Sequence, residues 1–199
     1  MITRVLTVCG SLQRVSANRS ALDVAHRFLA DVAEVDGYND LSKLPAFNPD
    51  VDANDVVIDW RARLAGVDAV LLASPEYAGA IAGTLKNALD WIVGSGELYT
   101  KAVAVMSAGT SGGVHARQML IQTLTWQGAH VVADLGISAP RTKSDLQGVI
   151  TDGPTVAAIE TLCTVLCGAV LMSAHDRLAL TRAVVSSAGV DQGHIALPV

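Results

Sequence analysis

The chain has 199 residues, of which 51% are hydrophobic and 17% charged, so it can bury one sizeable core and is too apolar for extended disorder. Its formal charge of -5 excludes the general basic surface that binds nucleic acids or anionic membranes. We therefore expect one domain over residues 1–199 with neither of these partners, in which any phosphate-bearing ligand is held locally.

Short β-rich runs alternate with longer helical runs, and this pattern predicts a parallel sheet covered by helices. The predicted strands lie at residues 4–9, 32–35, 67–73, 102–106 and 130–135. The predicted helices lie at residues 18–30, 54–65, 84–93, 114–127 and 155–171. The tail from about residue 173 is unassigned, with a further helix at 177–188 as one interpretation.

Five strands joined by right-handed helical crossovers predict a three-layer, doubly wound α/β sandwich. In such a fold the ligand site lies outside the carboxyl ends of the strands, where the strand order reverses. Polar or glycine-rich loops follow the first, third and fourth strands, so we expect them to converge at that edge.

The first loop, residues 10–20, is an expected anion site because it joins a buried strand to a helix. Helix-start amides have no internal partner and carry the positive end of the helix dipole. Ser11, Ser16 and Asn18 add short polar side chains, and Arg14 adds a charge. Simple capping of the helix by Ser16 or Asn18 is the alternative, although one cap does not explain three polar residues.

The second and third loops offer a binding place for a flat ligand. The second loop, residues 74–83, is long enough to present backbone groups to the edge of a ring and Tyr77 to its face or rim. Alternatively, Tyr77 is a half-buried surface aromatic, and Lys86, Asn87 and Asp90 only tie the loop down. The third loop, residues 107–113, lacks bulky side chains and allows close backbone approach, or is simply a turn.

At these loops the sequence resembles the NADPH-dependent FMN reductase family, which includes bacterial quinone, azo-dye and chromate reductases. The family's Gly-Ser-Leu-Arg-x-x-Ser-x-Asn pattern is matched by Gly10, Ser11, Leu12, Ser16 and Asn18. Gln13 replaces the arginine of that pattern, and Arg14 is an alternative phosphate contact one position later.

A second family signature, Pro-Glu-Tyr-Asn-x-x-x-Pro-Gly-x-Leu-Lys-Asn-Ala-x-Asp-Trp, is matched over residues 75–91. Ala78 stands where the family usually has asparagine, and Ala82 where it has the second proline. Residues 109–113 resemble the glycine-rich third loop of the family, and the whole resemblance covers about residues 3–170.

The resemblance implies a flavodoxin-like fold with sheet order 2-1-3-4-5 and non-covalently bound FMN. The FMN phosphate would lie in the first loop, and the isoalloxazine ring between the second and third. The cofactor-binding residues implied in this way are Ser11, Gln13, Arg14, Ser16, Ala17, Asn18, Pro75, Glu76, Tyr77, Ala78, Gly79, Ser107, Gly109, Thr110, Gly112 and Gly113.

The implied activity is hydride transfer from NADPH or NADH, through flavin N5, to a quinone, azo compound or similar small acceptor, or to free flavin. The cofactor carries this chemistry, so no side chain is assigned as a catalytic acid or base and no metal is expected. Family members are commonly dimers or tetramers, so a homodimer or homotetramer is also implied.

The sequence further predicts a cytoplasmic protein. The N-terminus lacks secretory signal features, and we expect no apolar run to reach the roughly 18 residues needed to span a bilayer. Cys9, Cys163 and Cys167 are an odd set without metal-ligand spacing, which fits a reducing compartment.

Two alternatives to a reductase stay open. One is a flavin-binding electron carrier or redox sensor without turnover, although the threonine-rich phosphate loop and acidic docking surface of carrier flavodoxins are not evident. The other is a protein in which Gln13 and Ala78 mark altered cofactor binding, with flavin used as a substrate.

Overall fold

The computed structural model describes residues 2–197 and contains a five-stranded parallel sheet and a small two-stranded antiparallel sheet. In chain order the strands are β1 Thr3–Cys9, β2 Ala33–Tyr38, β3 Ala69–Ala73, β4 Glu76–Tyr77, β5 Ala80–Ile81, β6 Ala102–Gly109 and β7 His130–Ser138. The parallel sheet has the order β2-β1-β3-β6-β7. This order confirms the predicted 2-1-3-4-5 arrangement of the five main strands.

The helices are α1 Ala17–Leu29, α2 Asp55–Ala65, α3 Gly83–Asp90, α4 Val114–Trp126, α5 Gly153–Leu171 and α6 Ala174–Ser187. They confirm the five predicted helices and the further helix considered at 177–188, with shifts of a few residues at their ends. The strand predictions were less complete, because β2 continues through Asp36 and Gly37 to Tyr38, and β6 and β7 extend to Gly109 and Ser138. The longer β6 makes Ser107 a strand residue rather than a loop residue.

The central strands β1, β3 and β6 are buried on both faces because helices cover both. Alternate side chains of β1 and β3 enter opposite cores: Val5 and Leu71 join one cluster, and Leu6 and Leu72 join the other. The first cluster includes residues of α1 and α5, and the second includes residues of α2, α3 and α4. This double burial explains why β3 reads as a continuous apolar run rather than an alternating pattern.

Helix α5 corrects one expectation, since it is long enough and apolar enough to cross a membrane by length and composition. The prediction failed because the helix begins at Gly153, two residues earlier than expected, and its polar residues are few. It packs against α1, β6 and β7 and buries Ile159, Leu162 and Leu166. Its length and composition alone therefore do not indicate a membrane span.

The unassigned tail forms α6, which packs against β7 and contacts α4. Its N-cap is Ser173, whose hydroxyl accepts a hydrogen bond from the Asp176 N–H at 3.1 Å. The rings of Trp126 and His194 lie 4.3 Å apart, which attaches the segment after α6 to α4. The tail thus covers the side of the sandwich next to β7.

Candidate functional site

A cavity of about 860 Å³ opens at the carboxyl ends of β1, β3 and β6, at the predicted edge of the sheet. It is lined by residues of all three predicted loops and by a fourth segment that follows β7. The predicted residues that line it are Ser11, Gln13, Ser16, Ala17, Asn18, Pro75, Glu76, Tyr77, Gly109 and Thr110. The predicted residues that do not line it are Arg14, Ala78, Gly79, Ser107, Gly112 and Gly113.

The first loop leaves β1 through a tight contact at Gly10. The Gly10 N–H donates to the carbonyl of Ala73 at 2.7 Å, and its own carbonyl accepts from the Thr84 hydroxyl at 3.1 Å. A Cβ at Gly10 would lie 3.2 Å from the Cβ of Leu85, closer than side chains normally approach. The absence of a side chain therefore lets the loop turn directly from β1 towards the cavity.

The start of α1 is an uncapped helix N-terminus facing this cavity. Ser16 has extended backbone geometry, but its hydroxyl makes no capping hydrogen bond. The first backbone bond of the helix runs from the Ser20 N–H to the Ser16 carbonyl at 2.9 Å. Among residues 2–197, the N–H groups of Ala17, Asn18 and Arg19 have no hydrogen-bond acceptor, and the first turn has no acidic residue. The capping alternative is therefore wrong for Ser16, and the three open amides are candidate donors to an anion.

Asn18 lines the cavity, yet its side chain serves another part of the structure. Its amide nitrogen donates to the Ala108 carbonyl at 3.0 Å, and its amide oxygen accepts from the Ala108 N–H at 2.9 Å. The β3–β6 ladder ends where the Ser74 N–H donates to the Met106 carbonyl, and beyond it the Asn18 amide bonds to Ala108 instead. Asn18 thus fixes α1 to the end of β6, and only its backbone N–H is left to meet a ligand.

Glu76, on β4, connects the second loop to the start of α4. Its carboxylate accepts hydrogen bonds from the backbone N–H groups of His115 at 2.9 Å and Ala116 at 3.1 Å. A negative charge at this position stabilises the positive end of the α4 dipole. The side chain of Glu76 is therefore a tertiary helix cap at the rim of the cavity.

Strands β4 and β5 form a hairpin with Ala78 and Gly79 as its two turn residues. Both have left-handed backbone conformations, with φ values of 51° and 73°. Such a turn explains why these two residues lie at the hairpin tip rather than in the cavity. Tyr77 lines the cavity and is 54% exposed, consistent with the rim position considered in the sequence.

The third loop presents Gly109 and Thr110 to the cavity, while its other predicted residues lie beneath it. Gly112 and Gly113 have positive φ values, and a Cβ at Gly113 would overlap the side chain of Ser107. Ser107 is fully buried under this turn, and its hydroxyl has no partner among the described residues. The glycines therefore allow the loop to close over β6 rather than contact a ligand with their own atoms.

Arg117 of α4 holds the third loop, and sequence reasoning missed it. Its Nε donates to the Gly112 carbonyl at 3.0 Å, and its guanidinium forms an ion pair with Asp134 of β7. Both side chains are largely buried. Nothing in the local sequence indicates this pairing, since it depends on how α4 crosses β7.

A fourth wall of the cavity was also missed, and it consists of residues 140–148 after β7. The Asp145 carboxylate accepts from the N–H groups of Gln147 and Val149, both at 2.9 Å, and so forms a tight turn. The Ile150 N–H donates to the Ser20 hydroxyl at 2.9 Å, which anchors this segment to α1. The polar run after the fifth strand was the available signal, because all five strand ends meet at one edge.

Arg14 and the thiol of Cys9 lie beside a smaller second cavity, of about 370 Å³, on the other side of the first loop. Ser11 and Gln13 line both cavities and form the wall between them. Burial raises the pKa of the Cys9 thiol, so it stays neutral at pH 7. The first loop therefore has no negative charge from this cysteine to oppose an anion.

Comparison with known proteins gives consistent matches. A family model described as NADPH-dependent FMN reductase matches residues 3–143. The chain is 34% identical to an NAD(P)H:quinone oxidoreductase of Solanum tuberosum, covering 77% of this chain and 86% of that protein. It is also 34% identical to an NAD(P)H-dependent FMN reductase of Pseudomonas aeruginosa, covering 75% and 85%.

Among solved structures, the fold is similar to that of the flavoenzyme NAD(P)H:(acceptor) oxidoreductase FerB from Paracoccus denitrificans. The TM-score is 0.70 at 24% sequence identity, covering 84% of this chain and 98% of that one. The likeness extends beyond the segment that carries the three loops, so it supports the architecture of the whole sandwich.

Proposed function

Because the chain belongs to the NADPH-dependent FMN reductase family, we propose that its large cavity is the FMN site of an NAD(P)H-dependent oxidoreductase of the quinone reductase type. The small acceptors we propose are quinones, azo compounds or free flavin. The names of the relatives favour a reductase over an electron carrier, since both are enzymes that use NAD(P)H.

The observation that carries this proposal is the open start of α1 at the cavity. Three unpartnered amides and the Ser16 hydroxyl provide donors for a phosphate, and no carboxylate of the described residues 2–197 caps that helix. Cavities that hold cofactor-sized ligands commonly measure about 300–1,000 Å³, and this one measures about 860 Å³. The donor set and the size therefore both fit FMN.

We assign the phosphate to the N–H groups of Ala17, Asn18 and Arg19, with the hydroxyls of Ser11 and Ser16 as neighbours. Support comes from the helix dipole, which attracts an anion to this end of α1. We assign the ring to the space between the second and third loops. The residues proposed to border it are Pro75, Glu76, Tyr77, Gly109 and Thr110, all of which line the cavity.

In this proposal the chain's own residues bind and orient rather than transfer protons. When bound, FMN supplies the capacity to accept a hydride from NAD(P)H and to reduce a second molecule. The carboxylate of Glu76 is occupied by two α4 amides, which leaves it poorly suited to act as a general base. Tyr77 and the residue 140–148 segment line the cavity, and we propose that donor and acceptor enter between them.

The test is an absorbance titration of the purified protein. We expect bound flavin that loses its visible absorbance on anaerobic addition of NADPH and regains it when benzoquinone is added. Ser16→Ala should weaken FMN binding by about tenfold, the usual effect of removing one hydrogen bond to a charged group. Ser186→Ala, an exposed change on α6, is the matched control. A protein that binds no FMN, or whose flavin NADPH does not reduce, would contradict the proposal.

We also propose that the chain is one domain that works as a homodimer or homotetramer in the cytoplasm. Support for self-association comes from large aromatic side chains left exposed around the end of α4, since Tyr99 lies against Gly128 and Trp126 precedes Gly128 by two residues. Such exposed apolar surface is typical of interaction sites. Light scattering during gel filtration would give the mass, and a monomer at micromolar concentration would refute this part of the proposal.

A further inference from the structure

The second cavity lies between the first loop and the carboxyl end of β2, and its chemistry is that of an anion site. It is lined by Arg14, Arg19, Asn39 and Ser42, together with the Ser11 and Gln13 wall that it shares with the large cavity. In the part of the chain that the structure describes, no residue that lines it is acidic. In a chain of net charge -5, this is a local exception to the overall charge.

Both arginines have guanidinium donors left for a ligand. Neither forms an ion pair within residues 2–197. Arg19 donates to the Asn39 side-chain oxygen at 3.1 Å, while Asn39 is itself held by the Gly37 carbonyl at 3.1 Å. Nearby Asp40 pairs instead with Lys43 at 3.0 Å. A planar guanidinium positioned in this way suits the paired oxygens of a phosphate group.

A phosphate monoester has two sources in this enzyme, namely the 5′-phosphate of FMN and the 2′-phosphate of NADPH. The open amides of α1 face the large cavity and already suit the FMN phosphate. The nicotinamide of the donor must enter the same cavity to reach the flavin ring. A dinucleotide is longer than FMN, so its adenosine end must extend beyond the large cavity, and the second cavity adjoins it across Ser11 and Gln13.

We propose that the cavity between the first loop and β2 binds the 2′-phosphate of NADPH through Arg14 and Arg19, an inference that rests on the proposed FMN reductase function. Arg14 is thereby a donor-specificity residue rather than the FMN phosphate contact that the sequence pattern indicates. Asn39 is a positioning residue for Arg19. The enzyme gains preference for NADPH without altering the flavin site.

Binding of 2′,5′-ADP and of 5′-AMP to the FMN-loaded protein tests this inference by calorimetry. We expect 2′,5′-ADP to bind at least about tenfold more tightly than 5′-AMP, the value of one or more charge-assisted hydrogen bonds. In Arg14→Gln, and in the double variant that adds Arg19→Gln, we expect 2′,5′-ADP and 5′-AMP to bind with similar affinity. The ratio of kcat/KM with NADPH to that with NADH should fall by a similar factor. Arg14 makes no internal hydrogen bond in the described chain, so its replacement preserves the fold.

Arg27→Gln is the matched control, because Arg27 is an exposed arginine of α1 that lines neither cavity. Equal binding of the two nucleotides to the unaltered protein, or an unchanged difference in Arg14→Gln, would overturn the inference. The inference would also be overturned if Arg14→Gln bound FMN more weakly but bound riboflavin as well as the unaltered protein does. In that case the second cavity would hold the phosphate of the flavin. Failure of the proposed function is distinguishable, because it would appear as missing FMN or missing reduction by NADPH before any variant is made.

Discussion

Helices α1 and α4 begin at the same edge of the sheet, yet their first turns are chemically opposite. The α1 start has no side-chain cap and no acidic residue, whereas the α4 start receives the carboxylate of Glu76. Each helix start carries the same partial positive charge and needs acceptors for the same kind of amide. The protein satisfies one of them with the carboxylate of Glu76, whereas the other has no acceptor among residues 2–197 and is where we propose that the FMN phosphate binds.

This comparison shows why position in the fold alone does not identify the phosphate site. Both helix starts follow a glycine-containing loop at the carboxyl end of a central strand. Only the partners of their amides separate them, and those partners come from segments distant in sequence. Four substitutions test the distinction, beginning with the largest expected effect.

The first substitution is Asn18→Ala, at a side chain of the α1 start whose amide is bonded to the end of β6 on both its atoms. It would leave the buried N–H and carbonyl of Ala108 without partners, and we expect the free energy of unfolding to fall by about 3 kcal/mol. Urea denaturation measures the change, with Gln118→Ala, an exposed amide on α4, as the control. Equal stability of the two variants would mean that Asn18 does not hold α1 to β6.

Ser16→Asp would make the α1 start resemble the α4 start by placing a carboxylate at its cap. We expect the affinity for FMN to fall by about 100-fold, because a protein anion would then occupy the open amides and repel the phosphate. Fluorescence titration of the apoprotein measures this affinity. Ser16→Asn supplies a capping side chain without charge, so a smaller loss in that variant isolates the electrostatic part. Undiminished FMN binding by Ser16→Asp would place the phosphate elsewhere.

Glu76→Ala performs the reverse change and uncaps α4. We expect the free energy of unfolding to fall by about 1–2 kcal/mol, the usual value of a helix cap with a charge. Glu76→Gln keeps an acceptor and should lose less. Glu34→Gln, at an exposed position of β2, controls for the change in net charge. Thermal denaturation measures the change. Equal stability of Glu76→Ala and the unaltered protein would mean that Glu76 does not stabilise the start of α4, and the contrast with the uncapped α1 would be lost.

The smallest effect is expected at Ala78, in the turn that carries Glu76 and Tyr77. Its φ of 51° is unfavourable for alanine, so Ala78→Gly should stabilise the protein by about 0.5 kcal/mol after the entropy cost of glycine. The same change at Ala157, an exposed residue within α5, should destabilise it by about 1 kcal/mol. Differential scanning calorimetry measures both changes in stability. A stabilising Ala78→Gly beside a destabilising Ala157→Gly would support a strained turn, and two changes of the same sign would contradict it.

The position of Ala78 also gives a physical reason for the departure from the family pattern. Asparagine tolerates the left-handed region better than alanine does, and it is the residue usual at this point of the resembling family. The structure places the residue at the hairpin tip, away from the cavity lining. The alanine at this position therefore affects the stability of the turn. Differential scanning calorimetry of Ala78→Asn should show a more stable protein.

The sequence by itself determined the architecture and the edge at which the site lies. Apolar runs such as 69–73 can form strands only when helices cover both faces, and alternation with helical runs makes the sheet parallel. The matched segments in the first two loops were sufficient for the family, because those signals are local in the chain. The predictions were weakest at strand ends, where polar and glycine residues such as Gly37 look like turns but continue the ladder.

Only the tertiary structure decided what each polar side chain in those loops does. Asn18 bonds to Ala108, Glu76 to the start of α4, and Arg117 to Asp134, across separations that no local pattern encodes. The same is true of Arg14, which lies one position from the expected arginine but lines a different cavity. Hydrophobic periodicity specifies which face of an element is buried, whereas a hydrogen bond depends on where two distant segments meet within a fraction of an ångström.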